Sequence, residues 1–304
     1  MKVFIAGATG AIGQPLSEKL LLHGHEVFGM TRSQEKSKVL ESQGVVPVVA
    51  DAFDYNAVDS AMQKIKPEVV IEQLTSLPQN YTPEEMRATD ELNTKLRLEG
   101  GANVQKAAQS AGVSRYIIQS AGFFYAPGEG LADESTSFAF DSTPFIARAA
   151  HVYKDIEDRV ISSSEMDGIA LRYGFFYGPG TWYEKEGSVS ELVRQQGLPV
   201  VGDGGGVWPF IHVEDAAEAT ISAMERGNRG TYNIVDDDPS KVSVWLPAYA
   251  KWLEAPTPIH IEAEQMNEPD FLYYLTKLRG ASNAKAKSEL GFKPRKLEWL
   301  EISN

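Results

Sequence analysis

Lys2-Val3-Phe4-Ile5-Ala6-Gly7-Ala8-Thr9-Gly10-Ala11-Ile12-Gly13 is the stretch that decides the fold. Its first five residues suit a buried parallel strand, glycines at 7, 10 and 13 make a turn, and Pro15 to Leu22 continues as a helix with its leucines on one face. Gly7 permits the tight turn out of the strand. Gly10 lets the backbone approach a pyrophosphate with no Cβ in the way, and Gly13 lets the helix pack close on the strand. The backbone from Gly7 through Thr9, Gly10, Ala11, Ile12 and Gly13, with the positive end of the helix dipole, then faces the phosphates. A strand before and a helix after distinguish a dinucleotide site from a bare glycine turn.

Working outward, Glu26 to Met30 reads as a second strand ending in Thr31-Arg32-Ser33. In a fold of this kind the residue just past that strand meets the adenosine ribose. An acid there accepts from the two hydroxyls of NAD, whereas a base pairs with the 2′-phosphate of NADP. Arg32 holds that place, which favours NADP(H) over NAD(H). Val45 to Ala50 is an almost wholly apolar third strand, followed by Asp51-Ala52, where an acid can accept from the adenine amino group; Asp54 is better placed to cap the next helix. A fourth strand, Pro67 to Glu72, ends in Gln73-Leu74-Thr75-Ser76, and Leu74, Thr75 and Ser76 are expected along the ribose and nicotinamide side of the cofactor.

Pro83 to Gly112 is helical by composition, Arg115 to Gln119 is a fifth strand ending in Ser120, Phe145 to Ser162 is a helix, and Gly168 to Arg172 is a sixth strand running into Tyr173-Gly174. Strands alternating with helices at this spacing predict a doubly wound parallel α/β sheet with right-handed crossovers. Beyond Tyr177-Gly178-Pro179-Gly180 the pattern becomes irregular, and the C-terminal part reads as a small cap of discontinuous pieces.

The 304-residue chain carries a net charge of −13, which argues against nucleic acid or an anionic membrane as partner. It has no cysteine, so disulfides, thiolate catalysis and cysteine metal sites are excluded. Histidines at 23, 25, 151, 212 and 260 are scattered, and no His/Asp/Glu spacing forms a metal-ligand set. No 18-residue apolar run appears, and a cytoplasmic location is the expectation.

With the turn at 7–13, the strand end at Ser120, Leu171-Arg172 leading to Tyr177-Gly178-Pro179-Gly180, and Phe210-Ile211-His212-Val213-Glu214-Asp215 in this order, the chain resembles the extended short-chain dehydrogenase/reductases, in their NAD-dependent epimerase/dehydratase-like branch. The resemblance implies a Rossmann-like sheet of about seven strands with a smaller α/β substrate-binding cap. It places 1–176 with roughly 211–236 in the dinucleotide domain, and roughly 177–210 with 237–304 in the cap. Tyr173 and Gly174 fall where family members contact the nicotinamide. The resemblance also implies a homodimer through helices around 90–110 and 145–162.

One departure stands out. Family members use a tyrosine, a lysine four residues later, and a serine or threonine at the end of the fifth strand; the lysine lowers the tyrosine's pKa and holds the ribose, and the tyrosine relays a proton. Here the acid that usually follows the lysine by four matches Glu157, which puts Tyr153 at the lysine position and Ala149 at the tyrosine position. The catalytic candidates are therefore Ser120, Tyr153 and Lys154, an atypical set. The leading expectation is an NADP(H)-dependent oxidoreductase acting on a carbonyl or alcohol of a small, fairly apolar molecule, because the cap region is rich in aromatics such as Phe123, Phe175, Trp182 and Trp208. A sugar-nucleotide epimerase or dehydratase and a non-catalytic NADP(H) sensor are the alternatives.

Overall fold

The computed structural model describes residues 1–301. Six strands, β1 (Lys2–Ala6), β2 (Glu26–Thr31), β3 (Val46–Val49), β4 (Val69–Glu72), β5 (Arg115–Ala121) and β6 (Asp167–Tyr173), are joined by a later one, β11 (Gly230–Ile234), in a seven-stranded sheet ordered β11-β6-β5-β4-β1-β2-β3. Every pairing in it is parallel. The order reverses between β1 and β4, so their C-terminal ends flank the crevice where ligands bind in open α/β sheets. Gly7 leaves β1 there and Gln73 leaves β4.

Helices cover both faces. On one side α1 (Gly13–Leu22), α2 (Gln34–Ser42), α8 (Val213–Arg226) and α11 (Ala284–Leu290) pack on a core that includes Val3, Ile5, Leu16, Leu40, Leu171 and Ile221. On the other, α3 (Tyr55–Ile65), α5 (Gly101–Ala111) and α6 (Pro144–Ile161) enclose Phe4, Val58, Val104, Tyr116, Ile118 and Ile156. Residues of β1 alternate between these two cores, as the period of two requires. α11 falls inside the expected cap range, yet it packs on α8 and β11.

β3 is less enclosed than its apolar sequence implies: Val46 and Val49 are exposed. It is the outermost strand, so no further strand covers it. The helix expected over 83–112 is one rod of three pieces. α4 (Pro83–Lys95) begins at Thr82, whose hydroxyl accepts from the Glu85 N–H. A single π turn over Leu96–Gly100 follows, then α5, which ends at Gly112 with φ of 78°.

The third core belongs to the cap. Short pairs of β7 (Phe175–Tyr177) with β10 (Phe210–His212), β8 (Val200–Val201) with β13 (His260–Ile261), and β9 (Val207–Trp208) with β12 (Ser240–Lys241) frame it. Helices α7 (Ser188–Arg194), α9 (Val242–Trp252), α10 (Pro269–Thr276) and α12 (Glu298–Glu301) close around the fully buried Trp208, Trp245, Tyr249 and Trp299. Among the described residues no helix is long and apolar enough to cross a membrane.

Candidate functional site

The glycines of the turn do different work. Gly7 has φ of 97°, and a Cβ there would stand 2.5 Å from the Gln73 carbonyl oxygen; at Gly13 it would stand 2.3 Å from the Gly7 carbonyl oxygen. Those two are demanded by the fold itself. Gly10 is exposed, and its Cβ would meet only the Gly7 carbonyl oxygen at 3.4 Å. Nothing in the chain requires glycine at 10, whereas a close ligand would. The N-terminus of α1 has no side-chain cap and no acid in its first turn; the Gln14 N–H turns back to the Gly10 carbonyl at 3.1 Å, which leaves the Gly13 N–H and the positive end of the helix dipole to an anion. This cradle fits a dinucleotide.

Around it, Thr31 Oγ1 accepts from the Ser33 N–H at 3.3 Å and Ser33 Oγ caps α2 through the Lys36 N–H at 3.2 Å. Both hydroxyls hold the β2 turn, and Arg32 between them is exposed with no partner among the described residues. Asp51 braces its own loop by accepting from the Phe53 N–H at 3.0 Å, Ala52 is buried, and Asp54 caps α3. Leu74, Thr75 and Ser76 are half-buried on the crevice loop, which Asn93 of α4 pins by accepting from the Ser76 N–H at 2.9 Å. Tyr173 points into the core, its hydroxyl 2.6 Å from Thr220 Oγ1 and 3.4 Å from Gln73 Nε2. Gly174 is glycine because Pro209 passes it: a Cβ would lie 2.6 Å from that carbonyl oxygen.

The three catalytic candidates are not gathered. Ser120 is 2 % exposed and donates to Glu157 Oε1 at 2.5 Å. Glu157, equally buried, takes a two-pronged grip from Arg172, with Nε to Oε1 at 2.7 Å and Nη2 to Oε2 at 2.6 Å. Arg172 Nη1 reaches the Tyr125 hydroxyl at 2.8 Å, and that hydroxyl donates to Asn233 Oδ1 at 2.5 Å. Burial pushes Tyr125 up to about 12, against the pull of Arg172. Burial alone would lower the Arg172 pKa, but the bonds and charge of Glu157 raise it. Ser120 is thus bound into a closed network that ties β5, β6, α6 and β11 together. Lys154 lies on the outer face of α6 in an exposed ion pair with Asp158, since residues 153 and 154 point about 100° apart around a helix. His151 is also exposed.

Tyr153 alone of the three reaches the cleft. It sits one turn before Glu157 on the same face of α6, and its ring stacks on Phe124 at 5.3 Å. An aromatic wall continues from there: Phe124 meets Phe123 at 4.9 Å, Phe123 stacks on Phe175 at 4.2 Å, and Phe175 stacks on Trp208 at 4.4 Å. Tyr274 joins the wall against Phe124 and Phe175. Its hydroxyl is pushed well above the usual tyrosine range by burial first, with Tyr81 and Tyr153 adding to the effect. Burial likewise pushes Tyr81 up to about 12. None of the three hydroxyls has a hydrogen-bond partner among the described residues. The loop carrying Tyr81 is latched to the cap, because its N–H donates to Ser188 Oγ at 2.9 Å and the Trp182 indole donates to the Pro78 carbonyl at 3.2 Å.

On Tyr153 rests a residue that the reading of the sequence passed over. The Arg97 guanidinium lies 4.8 Å from the ring centroid, and Arg97 is 3 % exposed. Its signal was periodic: 97, 101, 104 and 108 share one buried face. Tyr81 and Tyr274 had no such signal, because a loop and a cap helix bring them in.

His212 and Asp215 hold the start of α8 to the C-terminal segment. The His212 ring accepts from the Glu214 N–H at 3.2 Å, and Arg295 bonds Asp215 at 3.0 Å and Glu214 at 2.9 Å. Burial lowers the His212 pKa, helped by Arg295. His23, His25 and Glu225 converge at the surface with ligand atoms within 4.8 Å of one another, a juxtaposition across the fold that spacing could not reveal. A groove of about 520 Å³ lined by Leu131, Val207, Lys241, Lys277 and Arg279 opens elsewhere on the cap, and none of the cleft residues above lines it.

Residues 3–235 match the NAD dependent epimerase/dehydratase family. The protein belongs to that family. It is 39% identical over 310 residues to the 3-diazoavenalumate denitrifying reductase of a Streptomyces species, covering 99% of this chain and 98% of that one. It is 27% identical over 256 residues to a Bacillus cytotoxicus UDP-N-acetyl-alpha-D-glucosaminuronate decarboxylase, covering 79% and 77% of the two chains. Among solved structures, Pal from Bacillus thuringiensis superposes with a TM-score of 0.77 at 16% identity over the whole of both chains. The NAD complex of Thermus thermophilus UDP-glucose 4-epimerase gives 0.73 at 23% identity, covering 99% and 96%. The matched span takes in the Gly7–Gly13 turn and all seven strands of the Rossmann-like sheet.

Proposed function

We propose that this family member is an NADP(H)-dependent reductase that delivers hydride to a small, fairly apolar aromatic molecule lying against the Phe123–Phe124–Phe175 wall. A nicotinamide cofactor, held by the Gly7–Gly13 turn, would supply the hydride. The observation that carries the reading is the cleft face of α6, where Tyr153 stands without a lysine partner because Lys154 pairs outward with Asp158. Reduction of a carbonyl needs a proton placed on oxygen as hydride arrives, which is the task of a tyrosine–lysine pair. A diazo group bears no such need. Hydride added to a C–N≡N⁺ carbon gives C–H, and the C–N bond breaks with its electrons leaving as N₂. The relative matched end to end is named for a diazo substrate, for denitrification and for reduction together. Here Tyr153, Tyr81 and Tyr274 would orient the substrate, while the latched loop excludes water.

A second reading keeps the carbonyl or alcohol substrate, with Tyr153 as proton donor; its hydroxyl, free of protein partners among the described residues, supports it. Epimerase or dehydratase chemistry leans on the missing pair and is disfavoured. For the cofactor, unpaired Arg32 supports the 2′-phosphate. A homodimer through the helices around 90–110 and 145–162 also belongs to this proposal, α4, at the start of the first of these stretches, having no buried residue of its own.

The test has two arms. Fluorescence titration of wild type and Arg32→Ala should find NADPH bound about tenfold more tightly than NADH only when Arg32 is present; tighter NADH binding would sink the cofactor assignment. NADPH oxidation against panels of arenediazonium salts and of ketones and aldehydes then assigns the electrophile. Diazonium turnover that releases N₂ and persists in Tyr153→Phe supports the first reading. Carbonyl turnover lost in Tyr153→Phe supports the second, and tight NADPH binding without turnover of either panel leaves the sensor.

A further inference from the structure

Arg97 is a buried cation without an anion. Its Nε is enclosed with no acceptor, neither terminal nitrogen has a hydrogen-bonding partner, and no carboxylate lies within ion-pair distance among the described residues. Burying an unpaired charge costs several kcal/mol, and chains ordinarily supply a counter-charge. This chain does so at its other enclosed arginines: Arg172 is gripped by Glu157, and Arg159 meets Glu72 at 3.0 Å. The exception sits on the Leu96–Gly100 π turn, a distortion that proteins tend to keep at functional sites. It also sits on the cleft residue Tyr153, at one end of the row Arg97–Tyr153–Phe124–Tyr274.

We infer that Arg97 is the binding residue for a carboxylate carried by an aromatic substrate. A planar guanidinium pairs with a carboxylate in two parallel hydrogen bonds, and the aromatic row beside it receives a flat ring. The dinucleotide phosphates are not the anion in question, since they have their own cradle at Gly10 and the α1 N-terminus, on the opposite face of the sheet from α5 and α6. The inference rests on the proposed function only in placing substrate in this cleft.

The probes are cinnamate and its uncharged analogue cinnamamide, titrated calorimetrically into NADPH-saturated protein. Wild type binds the acid about tenfold or more tightly than the amide. Arg97→Met, of similar length and uncharged, binds both alike, keeps its affinity for NADPH, and melts no lower than wild type because the charge it removes had no counter-ion among the described residues. Arg97→Lys, which keeps the charge without the fork, retains part of the preference. Equal binding of acid and amide by wild type, absence of binding by either, or an acid preference that survives in Arg97→Met overturns the inference, as does loss of NADPH affinity in Arg97→Met with the preference intact. Acid preference without turnover of any substrate would instead leave the carboxylate site standing and remove the reductase reading.

Discussion

Two buried arginines lie against the same face of α6, one helical turn apart, and the chain treats them in opposite ways. Arg172 grips Glu157 with both prongs and completes a network with Ser120, Tyr125 and Asn233 in which donors meet acceptors. Arg97 lies on the ring of Tyr153 with no acceptor among the described residues. The first arrangement fixes β5, β6 and α6 relative to one another and leaves nothing over for a ligand. The second leaves a charge to be answered from outside. Burial alone does not mark a structural residue; the state of its partners does.

The largest expected effect breaks the satisfied half of this comparison. Glu157→Gln strands Arg172 without its counter-charge, and unfolding in urea should show a loss of about 3–5 kcal/mol. Arg97→Met, which removes a charge with no counter-ion among the described residues, should show no such loss, and a comparable destabilisation of the two variants would abolish the distinction.

Asp236 sharpens the comparison with a third kind of buried charge, an acid answered only by backbone. It is 2 % exposed, and its oxygens accept from the Phe210 and Asp238 N–H groups at 2.6 Å each. Burial pushes its pKa up to about 7 despite those bonds. The folded-state pKa lies above the unfolded one, so between about pH 4 and 7 the folded chain holds more protons. This carboxyl's contribution to stability therefore falls as pH rises through that window. Melting temperatures of wild type minus those of Asp236→Asn should decline from pH 5 to pH 8, and a difference that rises with pH would contradict this.

The smallest effect lies at the exposed end of the scale. Lys154→Ala removes a surface pair with Asp158, which should cost under about 1 kcal/mol and leave turnover unchanged. Lost activity with a normal fold would return Lys154 to the cleft.

Periodicity and turn chemistry are local, and what they govern was legible. The strand and glycine turn at 2–13, the alternation that builds a doubly wound sheet, the arginine beyond β2 and the cap formed by Asp54 could all be read from neighbours in sequence. The register set by Glu157 put Tyr153 at the family's lysine position and Ala149 at its tyrosine position, and both lie on α6 ahead of Glu157. Ser120 was misleading, because a hydroxyl at a strand end looks free until Glu157 is seen to hold it.

Sequence by itself determined that a tight glycine turn would join the first strand to the first helix at the sheet's crevice, since neither Gly7 nor Gly13 has room for a Cβ there. Tertiary structure decided which charges are spent within the fold and which are left open. Glu157 and Arg172 are 15 residues apart and Tyr125 and Asn233 are 108 apart, so no window of the chain contains these pairs. Arg97, Tyr81 and Tyr274 converge only when the π turn, the latched loop and the cap close on α6. Whether a buried charge has a partner depends on every element that packs around it, and that is settled only when the chain has folded.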